Sequence, residues 1–229
     1  MNKGILKALY FDLDHTLWDF ETNSALAFKS LFQEYDIRLD LDQFLEVYIP
    51  NNNLYWKRYR TGEIDKETLR FERLKTVFDA LNYQASAAFI DEVSDAYIQT
   101  LPEYNVLFPA AIEMLTALKP HYALHVITNG FQDVQHFKMK NSGLLPFFDT
   151  ITDSSSVGVK KPDPQIFNHA LKVGQVSPTE ALMIGDNLEA DIEGALAVGM
   201  HAVHFMPMVK KHPQHYKEIE ALNELTFLL

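Results

Sequence analysis

The chain has no cysteine, only two tryptophans and nine glycines among 229 residues, and no apolar run of membrane-spanning length. Without thiols, a disulfide framework and a thiolate-held zinc are both excluded. The nine glycines and ten prolines form no low-complexity tract, and no internal repeat is visible. Basic residues are scarce. Twenty Lys and Arg face 31 Asp and Glu, for a net charge of −11 and an isoelectric point near 5.2. That balance argues against a nucleic-acid polymer or an anionic membrane as partner. Any phosphate site must therefore be made positive locally, by a metal ion, a lysine or backbone N–H groups. Asp12 and Asp14 interrupt the only N-terminal segment resembling a signal-peptide core. The nine histidines are scattered without metal-ligand spacing on a helix. A soluble cytoplasmic monomer or homodimer is the expectation.

What is present is a 47% hydrophobic content, enough for one large domain or two smaller ones. Leu6–Phe11 reads as a short buried strand. From about Asn23 to about Leu101 the periodicity is helical: Leu26, Phe28, Leu31 and Phe32 share one face, and Leu69, Leu74, Val77, Phe78 and Leu81 another. Pro50 and Gly62 are read as breaks in it. From Leu107 onward, helix and strand alternate. Helices are expected at Ala111–Leu118, Val134–Asn141, Pro164–Lys172 and Ala190–Val198. Strands are expected at Ala123–Ile127, Phe148–Thr152, Ala181–Ile184 and His201–Phe205. This alternation predicts an α/β fold, a doubly wound parallel sheet with an α-helical insertion after the first strand. The expected division is a core of residues 1–17 and 106–229 and a helical insertion of 18–105.

In open parallel sheets, ligands bind beyond the carboxyl ends of the strands. Strand one delivers Asp12 and Asp14 there, and alternation lets positions two apart face the same way. Two carboxylates that close repel. A divalent cation, or chemistry using one ionised and one protonated carboxyl, would explain the pairing. The second strand delivers Thr128, Asn129 and Gly130 at a helix N-terminus, where N–H groups and the helix dipole favour an anion. The fourth ends in Gly185-Asp186, with Asp191 at the next helix start. Between the third and fourth, Lys161 is pinned before Pro162.

This set resembles the four motifs of the haloacid dehalogenase (HAD) superfamily of phosphotransferases. Asp12-x-Asp14-x-Thr16 matches the first motif, Thr128 the second, Lys161 the third, and Gly185-Asp186 with Asp191 the fourth. The segments Ser142-Gly143-Leu144, Phe147-Phe148-Asp149 and Lys161–Phe167 extend the resemblance across the core. It implies a phosphatase in which Asp12 attacks phosphorus and Asp14 is the acid and base. It implies Mg²⁺ on the Asp12 carboxylate, the Asp14 backbone carbonyl and Asp186. Thr128, the Asn129 and Gly130 amides and Lys161 would hold the phosphate, Thr16 would fix the loop carrying Asp14, and Asp191 would orient Lys161 or a metal-bound water.

The helical block resembles the family's helical cap. Asn52, Trp56, Tyr59 and Gly62, with Arg70-Phe71, match a cap pattern of the pyrimidine 5′-nucleotidase-like branch. The implied partner is a small soluble phosphomonoester, nucleoside 5′-monophosphates first, with Asn52, Trp56 and Arg70 as candidate contacts and cap packing as the alternative for Trp56. A sugar-phosphate phosphatase or a phosphomutase keeps the same motifs. A dehalogenase typically lacks the second acid of the first motif, here Asp14. A phosphoryl-binding receiver-like module would have no large helical insertion.

Overall fold

The computed structural model describes residues 6–207 and 216–229. The chain divides into two compact units, one of Met1–Phe20 with Asn105–Leu229 and one of Glu21–Tyr104.

The first unit is built on six parallel strands in the order β3-β2-β1-β4-β5-β6. They are β1 (Ala8–Phe11), β2 (Ala123–Thr128), β3 (Thr150–Asp153), β4 (Ala181–Gly185), β5 (His201–Phe205) and β6 (Lys217–Ile219). β1 lies between β2 and β4, with Ala8 opposite both Ala123 and Ala181. All four of its residues are buried, as expected of a central parallel strand covered on both faces. Ala8 and Tyr10 point into one core layer with Ile127, Ile166, Phe167, Ala170 and Met183. The strand order reverses between β1 and β4, which places the ligand crevice of a doubly wound sheet at their carboxyl ends.

The helical unit follows β1 in sequence, comprising α1 (Phe20–Glu34), α2 (Leu41–Arg60), α3 (Lys66–Ala80) and α4 (Ala87–Thr100). Three of these helices start where a side chain caps the first turn. Asp40 accepts from Gln43 N, Asp65 from Thr68 N and Ser86 from Phe89 N. The interior is aromatic. The Phe28 ring packs against Phe44, Tyr48 and Tyr97 at 4.5–4.8 Å between centroids. Pro50 does not break the chain here. It lies within α2, because Phe44, Tyr48, Asn52 and Tyr55 are buried along one face and hold both sides of the proline in register. Gly62 does punctuate, at φ +79 in the turn before α3.

The remaining helices are α5 (Ala111–Leu118), α6 (Gln132–Asn141), α7 (Ser154–Val157), α8 (Pro164–Gly174), α9 (Gly194–Ala197) and α10 (Glu224–Leu228). The single helix expected over Ala190–Val198 is instead a π-helical turn, Leu188–Glu193, leading into α9. Asn187 accepts there from Ala190 through its side chain, and from Asp191 and Ile192 through its carbonyl. No helix among the described residues is long and apolar enough to cross a membrane.

Candidate active site

Asp12 leaves β1 with its N–H donated to Ile184 O (2.9 Å), which ties the tip of β1 to the end of β4. Its carboxylate Oδ1 takes the Lys161 ammonium at 2.6 Å. Lys161 is 2% exposed. Its Nζ also donates to Ile127 O at 2.6 Å and lies 2.7 Å from Asp191 Oδ1. Burial opposes the charge on this lysine, yet Asp12 and Asp191 outweigh it and hold its pKa above the ordinary value. Asn129 sets the lysine's backbone from the neighbouring strand end. Its Oδ1 accepts from Lys161 N (2.8 Å) and its Nδ2 donates to Lys161 O (3.0 Å).

Asp12, Asp186 and Asp191 each offer an oxygen, and these oxygens lie within 4.8 Å of one another. Asp191 comes so near the tip of β4 that a Cβ at Gly185 would sit 2.3 Å from its Oδ2. Its Oδ2 accepts from Asn187 N. Thr16 donates to Asp186 Oδ1 at 3.1 Å, so it supports the fourth-strand acid as well as its own turn. Burial pushes the Asp12 carboxyl well above the usual range, and Asp191 and Asp186 add to this while Lys161 opposes it. One ammonium among three crowded carboxylates leaves an excess of negative charge. Hard oxygen donors in that state suit a divalent cation such as Mg²⁺, whose binding displaces protons from the acids. The residues present fit the ion.

Asp14 faces elsewhere. Sequence reasoning set it among adjacent carboxylates, but its Oδ1 takes Lys138 Nζ at 2.6 Å and its Oδ2 takes Gln135 Nε2 at 2.8 Å. Gln135 also donates to Thr128 Oγ1 at 2.7 Å, and Gly130 N donates to the same oxygen at 3.0 Å. Both lone pairs of that hydroxyl are taken, so what it offers a ligand is its proton. Gly130 matters here through close approach, since a Cβ would meet the Gln135 side chain at 2.4 Å.

The three helical-unit candidates have partners inside that unit. Asn52 is buried, and its Oδ1 accepts from Arg73 Nη1 (3.0 Å) and Tyr48 OH (3.4 Å). Arg70 pairs with Asp95. Trp56 is half-buried, with its ring 5.7 Å from that of Tyr59. Sequence reasoning missed Lys138, Gln135 and Arg73. The first two were legible only as polar positions of an expected helix, three residues apart and hence on one face.

The chain belongs to the haloacid dehalogenase-like hydrolases, whose family model matches residues 6–199. It is 30% identical over 227 residues to the HAD-hydrolase YfnB of Bacillus subtilis, covering 97% of this chain and 95% of that protein. A crystal structure of YfnB, bound to magnesium and revealing interdomain movement, matches with a TM-score of 0.88, covering 97% of this chain and 98% of that one at 30% identity. The pyrimidine 5′-nucleotidase YjjG of Escherichia coli is 28% identical over 225 residues, 96% of each chain. The pyrimidine 5′-nucleotidase PynA of Streptococcus pneumoniae is 31% identical over 209 residues, 88% of this chain and 84% of that protein.

The acid cluster makes stability depend on pH. Burial pushes Asp186 from its ordinary 3.8 up to about 7, with Asp191 adding to the rise. Between those values the folded chain holds a proton that the unfolded chain has lost. Stability therefore falls as pH rises through the window, by on the order of a few kcal/mol, and levels off above it. Urea titrations in EDTA from about pH 4.5 to about pH 8 should show this decline. Asp186→Asn should make it shallower, with Asp12 carrying what remains, and an undiminished slope in that variant would place the proton elsewhere.

Proposed function

We propose that this protein is a Mg²⁺-dependent phosphomonoesterase that works through an aspartyl-phosphate on Asp12. The observation that carries the reading is the Asp12 carboxylate at the tip of the central strand. One of its oxygens is fixed by Lys161, and Asp186 and Asp191 stand beside it. Anchoring one oxygen assigns attack on phosphorus to the other, and the bond from phosphorus to the ester oxygen breaks. Asp14 gives the departing oxygen a proton carried on Oδ2, the oxygen not paired with Lys138, which can accept from Gln135 while protonated. In the second half-reaction Asp14 takes a proton from water as that water displaces Asp12 from phosphorus, returning both carboxyls to their starting state. The Thr128 hydroxyl holds a phosphoryl oxygen, with the Asn129 and Gly130 backbone amides at the same strand end. Lys161, whose three protons meet Asp12, Asp191 and the Ile127 carbonyl, acts on the phosphoryl group through its charge. The cation would be held by Asp12, Asp186 and the Asp14 backbone carbonyl, with Asp191 orienting Lys161. When bound there, Mg²⁺ supplies charge neutralisation for the phosphoryl oxygens.

The names of YjjG and PynA support a nucleoside 5′-monophosphate as substrate, pyrimidine ones first. On this reading the helical unit is a cap that selects small soluble phosphomonoesters, and the half-buried Trp56 stacks on the base. Arg70 or Asn52 would meet the base's polar edge; Asn52 Oδ1 already has two donors, so Asn52 would offer its amide protons.

Asp12→Asn should retain less than about a thousandth of wild-type turnover of p-nitrophenyl phosphate while keeping the fold, the scale set by losing a central catalytic group. Greater retention would sink the covalent mechanism.

EDTA should abolish turnover and Mg²⁺ restore it, with Ca²⁺ a poor substitute because its larger shell displaces the reacting oxygens. Mg²⁺ should also raise the urea midpoint, most above about pH 7, where the carboxylates are ionised. Full activity in chelator would point to dehalogenase-like chemistry.

Trp56→Ala should raise KM for a pyrimidine nucleotide roughly ten- to a hundredfold, in line with ~1–3 kcal/mol for a stacked base, while barely changing p-nitrophenyl phosphate turnover. Equal losses on both substrates would make Trp56 a packing residue. A sugar phosphate preferred about tenfold over every nucleotide would overturn the nucleotidase reading and leave the phosphatase.

A further inference from the structure

Helix α6 presents two buried side chains to Asp14. Lys138 is 2% exposed and Gln135 1%. Being three residues apart they share one face of the helix, and between them they occupy both oxygens of one carboxylate. The Gln135 amide has two protons. One goes to Asp14 and the other to Thr128 Oγ1, so a single side chain fixes the spacing between the carboxylate and the hydroxyl. Burying an ammonium is costly unless its charge is met on more than one side. Lys138 meets that demand with Asp14 and with the face of Trp18, whose ring centroid is 4.1 Å from Nζ; Phe20 lies at 5.2 Å. Trp18 belongs to the same turn as Asp14 and is bridged to it through the backbone. The ammonium thus clamps the turn from both the acid and the ring.

We propose that Lys138 and Gln135 are positioning residues that hold the Asp14 carboxylate and the Thr128 hydroxyl as one rigid frame on α6. This rests on the reading of Asp14 as the acid and base. A carboxylate on a turn has torsional freedom of its own. Proton transfer and phosphate binding at two separate strand ends need a fixed mutual geometry, and small displacements from it are costly in rate. Neither side chain need touch the substrate: both act through groups that do.

The test is a double-mutant cycle in Mg²⁺ with p-nitrophenyl phosphate. Lys138→Gln should lower kcat roughly tenfold to a hundredfold, the scale seen when an outer partner orienting a site group is lost, with KM changed less than about twofold. Lys138→Arg, which keeps a cation over Trp18, should recover part of the loss. In an Asp14→Asn background, Lys138→Gln should cost less than about a further twofold, because residues acting as a unit are not additive. The same fractional loss in both backgrounds would overturn the proposal. If Lys138→Gln does not fold, Gln135→Met carries the test: a kcat lowered at least about fivefold at unchanged KM supports the frame, and an unchanged kcat overturns it. Activity remaining in Asp12→Asn would instead defeat the mechanism on which the proposal rests, so the two failures are distinguishable.

Discussion

The Lys161 ammonium is the contact on which the rest of the site depends. It is fully desolvated, and it reaches Asp12, Asp191 and the Ile127 carbonyl at once. Those partners belong to the ends of β1 and β2 and to the π-helical turn after β4, so one charge ties three carboxyl-end segments of the sheet together. Removing it would leave two buried carboxylates facing each other, among the costliest arrangements a protein interior can hold. The segment carrying the lysine is set in turn by a reciprocal amide pair with Asn129. The fold therefore spends polar groups heavily to place this one cation.

Around that contact the acids separate into two environments. Asp12, Asp186 and Asp191 crowd together with too little positive charge, and burial lifts Asp12 and Asp186 out of the usual carboxylate range. Asp14, two residues from Asp12, turns to a lysine and an amide on α6. Adjacent carboxylates with different surroundings are what a site needs if one is to act as nucleophile and the other to move protons. The difference comes from neighbours supplied by other elements, not from the two residues themselves.

The helical unit has a different character. Its interior is a set of stacked and edge-on aromatic rings, with Arg73 laid over Tyr97 and bonded to Asn52. A buried guanidinium among aromatics keeps its charge at a tolerable cost through the ring faces. The polar residues of this unit that attract notice in the sequence are thus largely engaged in holding its own helices together. That weighs on Asn52 most, since its carbonyl oxygen already has two donors.

The sheet and most of its helices are legible in the chain, because buried parallel strands read as short apolar runs and the helices between them repeat at their own period. Ala111–Leu118 and His201–Phe205 fall at the expected residues. Asp12, Thr128 and Asp186 can likewise be picked out as residues at strand ends, where such a sheet binds its ligands, and Lys161 as the residue before Pro162. The failures have local causes. Pro50 stays inside α2 because packing on one face outweighs a lost hydrogen bond. β6 and α10 are too short to carry a period. The turn after β4 becomes π-helical as Asn187 captures its first amides. What only the tertiary structure decides is which charge meets which. Lys138 and Gln135 lie more than a hundred residues from Asp14 in sequence, and no local pattern encodes a contact that exists only once β1 and β2 lie side by side.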